Sequence, residues 1–227
     1  MRLNDTVIIL NSPPNSGKDT IADGLSSRWG FFHNRFKEHL YACTAYVFNI
    51  DVEEFKDLAN SRESKEIPNP NLLLPNESYN SLEKYLKNSR VIDKMHNTPV
   101  RITPREALIF TSEIMIKPLM GKDYFGKIFS QNLDLESGTV ASDGGFEDEI
   151  YPTIERVGKD NVFIIQFTRE GADSFEGDSR GWVNIEGVPT LVTTNDSSID
   201  DICQRIYQFI YSTRRKRFNE LRSIDDV

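Results

Sequence analysis

The run Val7-Ile8-Ile9-Leu10 passes directly into Asn11-Ser12-Pro13-Pro14-Asn15-Ser16-Gly17-Lys18-Asp19-Thr20, and no other stretch constrains the fold as strongly. Four apolar residues ahead of a cluster of turn formers suit a strand covered on both faces. After the turn, backbone N–H groups from Asn15 to Asp19 can point inward, the next helix offers its positive end, and the Lys18 ammonium can reach the β- and γ-phosphates of a guest. The stretch predicts a phosphate cradle, and a nucleoside triphosphate is its natural occupant.

The match to the pattern GxxxxGK[ST] is imperfect. Ser12 stands at the first glycine position, Pro13 and Pro14 cannot donate backbone hydrogen bonds, and Asp19 replaces the usual hydroxyl residue. The donors that matter lie later in the loop. Thr20 or the Asp19 carboxylate could serve a hard, oxygen-seeking Mg²⁺, directly or through water. An ordinary strand-turn-helix with a chance Gly-Lys pair is the plainer alternative, and the helical run from Ile21 to Trp29 weighs against it.

With 227 residues, 38% of them hydrophobic, the chain is long enough for one sizeable α/β domain with insertions. A net charge of -8 argues against a general nucleic-acid clamp, which needs a basic face, so no direct nucleic-acid binding is expected. Cys43 and Cys203 lack metal-ligand spacing and read as packing residues of a reducing compartment. No apolar run approaches about 18 residues, and the N-terminus has no signal pattern. A cytoplasmic protein without membrane association is expected.

Ile21, Ala22, Leu25 and Trp29 recur at helical spacing, Phe31 to Phe36 suits a short strand, and Lys37 to Phe48 is again helical. Lys37 falls at that helix's start, where it could meet a phosphate or simply be solvated. Residues 51–100 are polar and hold Pro68, Pro70, Pro75 and Pro99, so a regular core element is not expected there. We expect an insertion covering a substrate, with one helix around Glu77 to Asn88. Arg62, Lys65 and Glu66 could address a substrate phosphate or form a surface charge cluster.

Thr103-Pro104-Arg105-Glu106 combines a capping box with proline at the first helical position, so a helix starts here and runs toward Lys117-Pro118. Arg105 opposes the usual acidic preference of a first turn, which makes sense if an anion binds there. A further helix is expected from Tyr124 to Leu133. Thr139 to Glu149 reads strand, turn, helix, and puts Asp143 at the carboxyl end of a strand, where ligands collect in open parallel sheets. Asp143 could hold a metal-bound water or cap the following helix. Gly144 and Gly145 would admit close approach of a ligand, and Phe146 is a plausible base or sugar contact.

Asn161 to Thr168 is a continuous apolar strand, followed by Arg169 and a polar, glycine-bearing stretch to Gly187 that includes Arg180. A mobile lid over residues 169–187 would carry these two cations over bound phosphates. A last short strand, Pro189 to Thr193, leads to Asn195, the expected adenine contact, and to a helix from about Ser198. Arg214 to Arg217 reads as a solvated, basic helix end.

Strands alternating with helices, with the phosphate loop after the first strand, predict a three-layer α/β domain with a mainly parallel sheet. The motifs Ser16-Gly17-Lys18-Asp19-Thr20, Thr103-Pro104-Arg105-Glu106-Ala107-Leu108, Gly121-Lys122-Asp123-Tyr124-Phe125, Ser142-Asp143-Gly144-Gly145-Phe146, Gly177-Asp178-Ser179-Arg180 and Thr194-Asn195-Asp196 resemble those of the bacteriophage deoxynucleoside monophosphate kinases, in order over nearly the whole chain. The resemblance implies a P-loop kinase fold with a core of about 1–50 and 100–227, a helical substrate-binding insertion at 51–100 and a lid at 169–187. It implies transfer of the γ-phosphoryl of ATP, with Mg²⁺, to a deoxynucleoside 5′-monophosphate, and a host-cell cytoplasmic setting.

Carried onto this chain, Asn15, Ser16, Gly17, Lys18, Asp19 and Thr20 would hold ATP, with Asn195 at the adenine. Arg105, Asp143, Gly144 and Phe146 would meet the acceptor, Asp143 and either Asp19 or Thr20 the metal, and Arg169 with Arg180 the transferring group. Some relatives carry an arginine just after the Asp143 position; glycines stand here, so part of that charge must come from elsewhere, with Lys37 and Arg62 as candidates. The sequence leaves a homodimer open. It also leaves open a related small-molecule kinase, with a phosphomevalonate or dephospho-coenzyme A type of acceptor, and a non-catalytic ATP-binding regulator.

Overall fold

The computed structural model describes residues 3–61, 63–86, 98–172, 174–175 and 180–225, with side chains of the last helix to residue 219. Two compact units divide it, one of Met1–Phe36 with Gly126–Val227 and one of Lys37–Phe125.

The first unit is built on a five-stranded sheet. Strands β1 (Val7–Asn11), β2 (Phe32–Asn34), β5 (Thr139–Ala141), β6 (Val162–Thr168) and β7 (Thr190–Thr194) lie in the order β2-β5-β1-β6-β7. All four pairings are parallel, with Ile9 opposite Ala141 on one side and Ile164 on the other. Alternation of side chains gives each face its own core. Ile8, Leu10, Phe163, Ile165 and Phe167 pack with Ile21, Ala22 and Leu25 of α1 (Lys18–Trp29) and with Ile202, Cys203, Ile206 and Ile210 of α9 (Ile199–Asp225). Val7, Ile9, Val162 and Ile164 face the other way, onto Phe129 of α7 (Tyr124–Gln131) and Ile150 and Ile154 of α8 (Glu147–Val157). The result is a three-layer α/β unit, helices on both faces of a parallel sheet, as the sequence predicts.

Two details refine that expectation. Val183, Ile185 and Val188 are buried in the second of these cores, although they fall within or beside the stretch expected to be a lid. The basic run at the chain's end is not simply solvated: Arg214 donates to Asn161 Oδ1 at 2.9 Å and its guanidinium lies 5.7 Å from the Phe163 ring centre, while Arg217 pairs with Asp160 at 2.6 Å. Burial lowers the Arg214 pKa and pushes the Cys203 thiol up to about 11, as suits an inert packing cysteine.

The second unit has its own core and corrects the reading of residues 51–100. It contains α2 (Glu38–Phe48), α3 (Val52–Asn60), β3 (Leu73–Leu74), α4 (Asn76–Glu83), β4 (Val100–Arg101) and α5 (Pro104–Ile109), with β3 and β4 antiparallel. Phe55, Leu72, Leu74, Tyr79 and Leu82 are buried together with Tyr41, Ile102 and Phe110, so this segment supplies core and not only cover. Asp51 starts α3 by accepting hydrogen bonds from the Glu53 and Glu54 amides. The expected helix at 77–88 is α4, which ends at Glu83; residues 87 and 88 lie outside the described residues.

The capping box is formed as read: Glu106 N donates to Thr103 Oγ1 at 3.1 Å and Thr103 N to Glu106 Oε2 at 2.7 Å. The helix it starts does not stay regular. Phe110–Ile116 widens into π-helical turns, with Lys117 N reaching Ser112 O, before a short α6 (Lys117–Met120).

Candidate functional site: a phosphate loop at the carboxyl end of the sheet

In the first unit, the loop from Ser12 to Gly17 leaves the carboxyl end of β1, where the strand order turns back on itself and open α/β sheets bind ligands. Two residues give the loop its curvature, Asn15 at φ 60° and Gly17 at φ 89°. Ser16 Oγ closes the turn onto the Pro13 carbonyl at 2.8 Å. Gly17 stands at the N-cap of α1 with no side chain to offer, so no side-chain cap covers the start of that helix, the end that suits an anion. Lys18 folds back over the loop, its Nζ donating to the carbonyls of Ser12 at 2.7 Å and Pro13 at 2.6 Å.

Two of the predicted residues of this unit, Arg169 and Asn195, stand at that loop. A Cβ built on Gly17 would lie 3.7 Å from Arg169 Nη1 and 2.9 Å from Asn195 Nδ2, so both side chains stand against the loop. Asn195 is buried, and its Nδ2 donates to the Ser16 carbonyl at 2.7 Å. That bond makes it a brace of the phosphate loop. Arg180 lays its aliphatic stem on Gly145, where a Cβ would meet its Cγ and Cδ at 2.7 Å. Gly144 packs on the Ile9 side chain, which leaves no room for a larger residue. Phe146, half-buried, is the N-cap of α8 without a side-chain bond to it. Asp143 does not cap α8; its Oδ1 accepts the Phe36 N–H at 2.9 Å.

A polar network that the sequence reading did not anticipate joins these parts. Ser142 Oγ donates to Asp19 Oδ1 at 2.7 Å, and Arg35 approaches the same oxygen with Nη2 at 3.1 Å and Nε at 3.2 Å. His33 lies behind, with Nε2 2.9 Å from Ser142 Oγ and Nδ1 2.8 Å from Asp23 Oδ1. Asp19 is therefore oriented from the neighbouring strands. Asp19 and Asp23, four residues apart and so on one face of α1, are the sequence signal that could have pointed to it. Asn11, polar at the end of an apolar strand, is the other residue that was missed.

Among the described residues no group of three or more His, Cys, Asp or Glu is placed to hold a metal ion. A Mg²⁺ carried by substrate phosphates asks less of a protein, one or two oxygen ligands with waters completing the shell. Asp19 and Thr20, in the first turn of α1, fit that role. A further sign of polar company is Ser12 Oγ, which is buried and has no protein partner.

The remaining predicted residues belong to the second unit. Lys37 stands at the start of α2 with its Nζ 5.4 Å from the Tyr41 ring centre. Arg105 pairs through Nε with Glu66 Oε1 at 2.6 Å, and its N–H donates to the Lys65 carbonyl. Arg62 lies outside the described residues, as do Gly177, Asp178 and Ser179 of the expected lid motif. Within the expected lid, Val183 is tied to the sheet and Asn184 to α8: Val183 N donates to Asn11 Oδ1, Gln166 Nε2 to Val183 O, and Asn184 N to Glu147 Oε1. Val183 and Ile185 of the expected lid are thus part of the first unit's core.

A parallel sheet between helical layers, with a tight anion-receptive loop after its first strand, defines a three-layer α/β protein of the phosphate-loop kind. Compared with models of known protein families and with curated proteins, the chain matches none. No helix among the described residues is long and apolar enough to cross a membrane.

Proposed function

We propose that the chain is an ATP-dependent deoxynucleoside monophosphate kinase, similar to the bacteriophage enzymes, that transfers the γ-phosphoryl of ATP to a dNMP and yields dNDP and ADP. The observation that carries this reading is the presence of Arg169 beside a phosphate loop that already holds Lys18 and the amides of a helix start. Arg180 stands on the neighbouring loop that carries Asp143.

Phosphoryl transfer through a loose transition state needs positioning and positive charge more than covalent chemistry. An oxygen of the acceptor phosphate attacks the γ-phosphorus in line, the bond to the β,γ-bridging oxygen breaks, and charge grows on the leaving ADP. In the proposed site Lys18 and the loop amides hold the β- and γ-phosphates, and Arg169 and Arg180 meet the charge on the group in flight. Mg²⁺, when bound, would neutralise phosphate charge from the side of Asp19 and Thr20. Asp143 orients the acceptor end with Gly144 and Phe146. Asn195 braces the loop from the side where the adenine is assigned.

The test is ADP release with Mg²⁺-ATP and each of dAMP, dCMP, dGMP, dTMP and dUMP, with AMP, GMP and phosphomevalonate as controls. Stimulation by one or more deoxynucleotides supports the reading. Stimulation by phosphomevalonate alone, or ATP binding with no stimulation at all, would replace it with another acceptor or with a regulator.

A further inference from the structure

Asn11 is the last residue of β1, fully buried, and every hydrogen-bonding capacity of its side chain is in use. Its Nδ2 donates to the Gly144 carbonyl at 3.0 Å and to the Gly181 carbonyl at 2.9 Å. Its Oδ1 accepts the Val183 N–H at 2.9 Å and Gln166 Nε2 at 3.4 Å. Four partners on three segments meet on one primary amide. A side chain of like shape without the amide would strand two carbonyls and an N–H in the interior.

The partners are placed where the site's charges are. Gly144 follows Asp143, Gly181 follows Arg180, and Asn11 itself precedes the first residue of the phosphate loop. Adjacent residues are about 3.8 Å apart along the chain, so fixing those carbonyls fixes the bases of both charged side chains relative to the loop. The contact is continued by Gly181 N, 3.5 Å from the Gly145 carbonyl, and by the Arg180 stem lying on Gly145. Gln166 closes the set from β6, donating also to the Val183 carbonyl at 2.6 Å.

We propose that Asn11 is a positioning residue for phosphoryl transfer, holding Arg180 and Asp143 in register with the phosphate loop and acting through Arg180. The inference rests on the transfer reading above. Misplacement of a charged group by about 1 Å can cost on the order of 10²-fold in rate without loss of binding.

Asn11→Asp keeps the shape and the acceptor for Val183 but removes both donors and turns a carboxylate toward two carbonyls. Expected are a kcat lowered on the order of 10²-fold, an ATP KM within about threefold of the unaltered chain, and faster amide exchange at residues 181–184. In the double variant with Arg180→Ala the two losses should overlap, adding no more than about twofold to the larger of the two, because residues acting as one unit are not additive. A side chain that merely stabilises the fold would give multiplying losses and leave the kcat-to-KM split unmoved, and that result overturns the proposal. Gly145→Ala gives a second route that spares the amide, since the new Cβ pushes the Arg180 stem; the same kcat-selective loss is expected, and an unchanged kcat contradicts the proposal even if Asn11→Asp does not fold. If the unaltered chain releases no acceptor-dependent ADP, the transfer reading falls and takes this inference with it, an outcome distinct from additivity in an active enzyme.

Discussion

The Asn195 side chain donates to the main-chain oxygen of Ser16 at 2.7 Å, tying the start of the loop before α9 to the phosphate loop. The Asn195 main-chain N–H meanwhile bonds to the Thr168 carbonyl at 2.7 Å, so the brace is anchored on the end of β6. Removing the side chain in Asn195→Ala leaves a buried carbonyl without its donor, which costs about 1–3 kcal/mol. We expect a lower urea midpoint and a several-fold higher ATP KM. An unchanged midpoint would show that the loop does not depend on this bond.

Lys18→Ala is expected to abolish transfer, because Lys18 is the cation rooted within the loop and its Nζ also ties the Ser12 and Pro13 carbonyls. Arg180→Ala should lower kcat more than it weakens ATP binding, by on the order of 10²–10⁵-fold for a cation that meets charge formed only in the transition state. Steady-state kinetics with saturating acceptor separates the two. Near-normal turnover in either variant would remove that residue from the mechanism.

The parts of the fold that could be read in advance are those with local signals. Val7–Leu10 and Val162–Ile165 are unbroken apolar runs, and Thr103 with Glu106 satisfies a capping box by spacing alone. Residues 51–100 were misread because prolines and polar residues separate Phe55, Leu72, Leu74 and Tyr79, which converge only in three dimensions. A usable signal was present in Asp51-Val52-Glu53-Glu54, an N-cap residue ahead of an acidic first turn. Val183 and Ile185 alternate as a strand does, yet the glycines around them suggested a mobile lid. The roles of Asn11, His33 and Ser142 were not legible at all: each depends on partners more than 100 residues away, such as Gly144 for Asn11 and Ser142 for His33.

At Gly24, α1 packs closely on α9. A Cβ there would lie 2.8 Å from Ile199 Cγ2 and 2.9 Å from Cys203 Sγ. Gly24→Ala should gain about 1 kcal/mol of helix propensity, but overpacking costs about 1–3 kcal/mol. Cys203 is fully buried and cannot move aside cheaply, so a net loss of roughly 1 kcal/mol and a Tm lower by about 2–4 °C are expected by calorimetry. A raised Tm would mean that α9 shifts freely.

Asp134 organises the turn that leads into β5, accepting Ser137 Oγ at 2.6 Å and the amides of Glu136 and Ser137. The Ser137 hydroxyl first, and the amides with it, hold the carboxyl below the usual aspartate value. A depressed folded-state pKa stabilises the fold above the unfolded pKa and loses that contribution as pH falls through the folded one. Asp134→Asn should therefore be less stable than the unaltered chain at pH 7 and close to it near pH 2, in urea titrations at both. An equal gap at the two pH values would contradict the ionic origin.

The central claim is phosphoryl transfer, and the most direct measurement follows the phosphoryl group itself. ATP labelled at the γ-position is incubated with the chain, Mg²⁺ and each deoxynucleoside monophosphate, and the nucleotides are separated. The account predicts label in a deoxynucleoside diphosphate, lost in Lys18→Ala. Label that stays in ATP or appears only as inorganic phosphate, with ATP demonstrably bound, would contradict it.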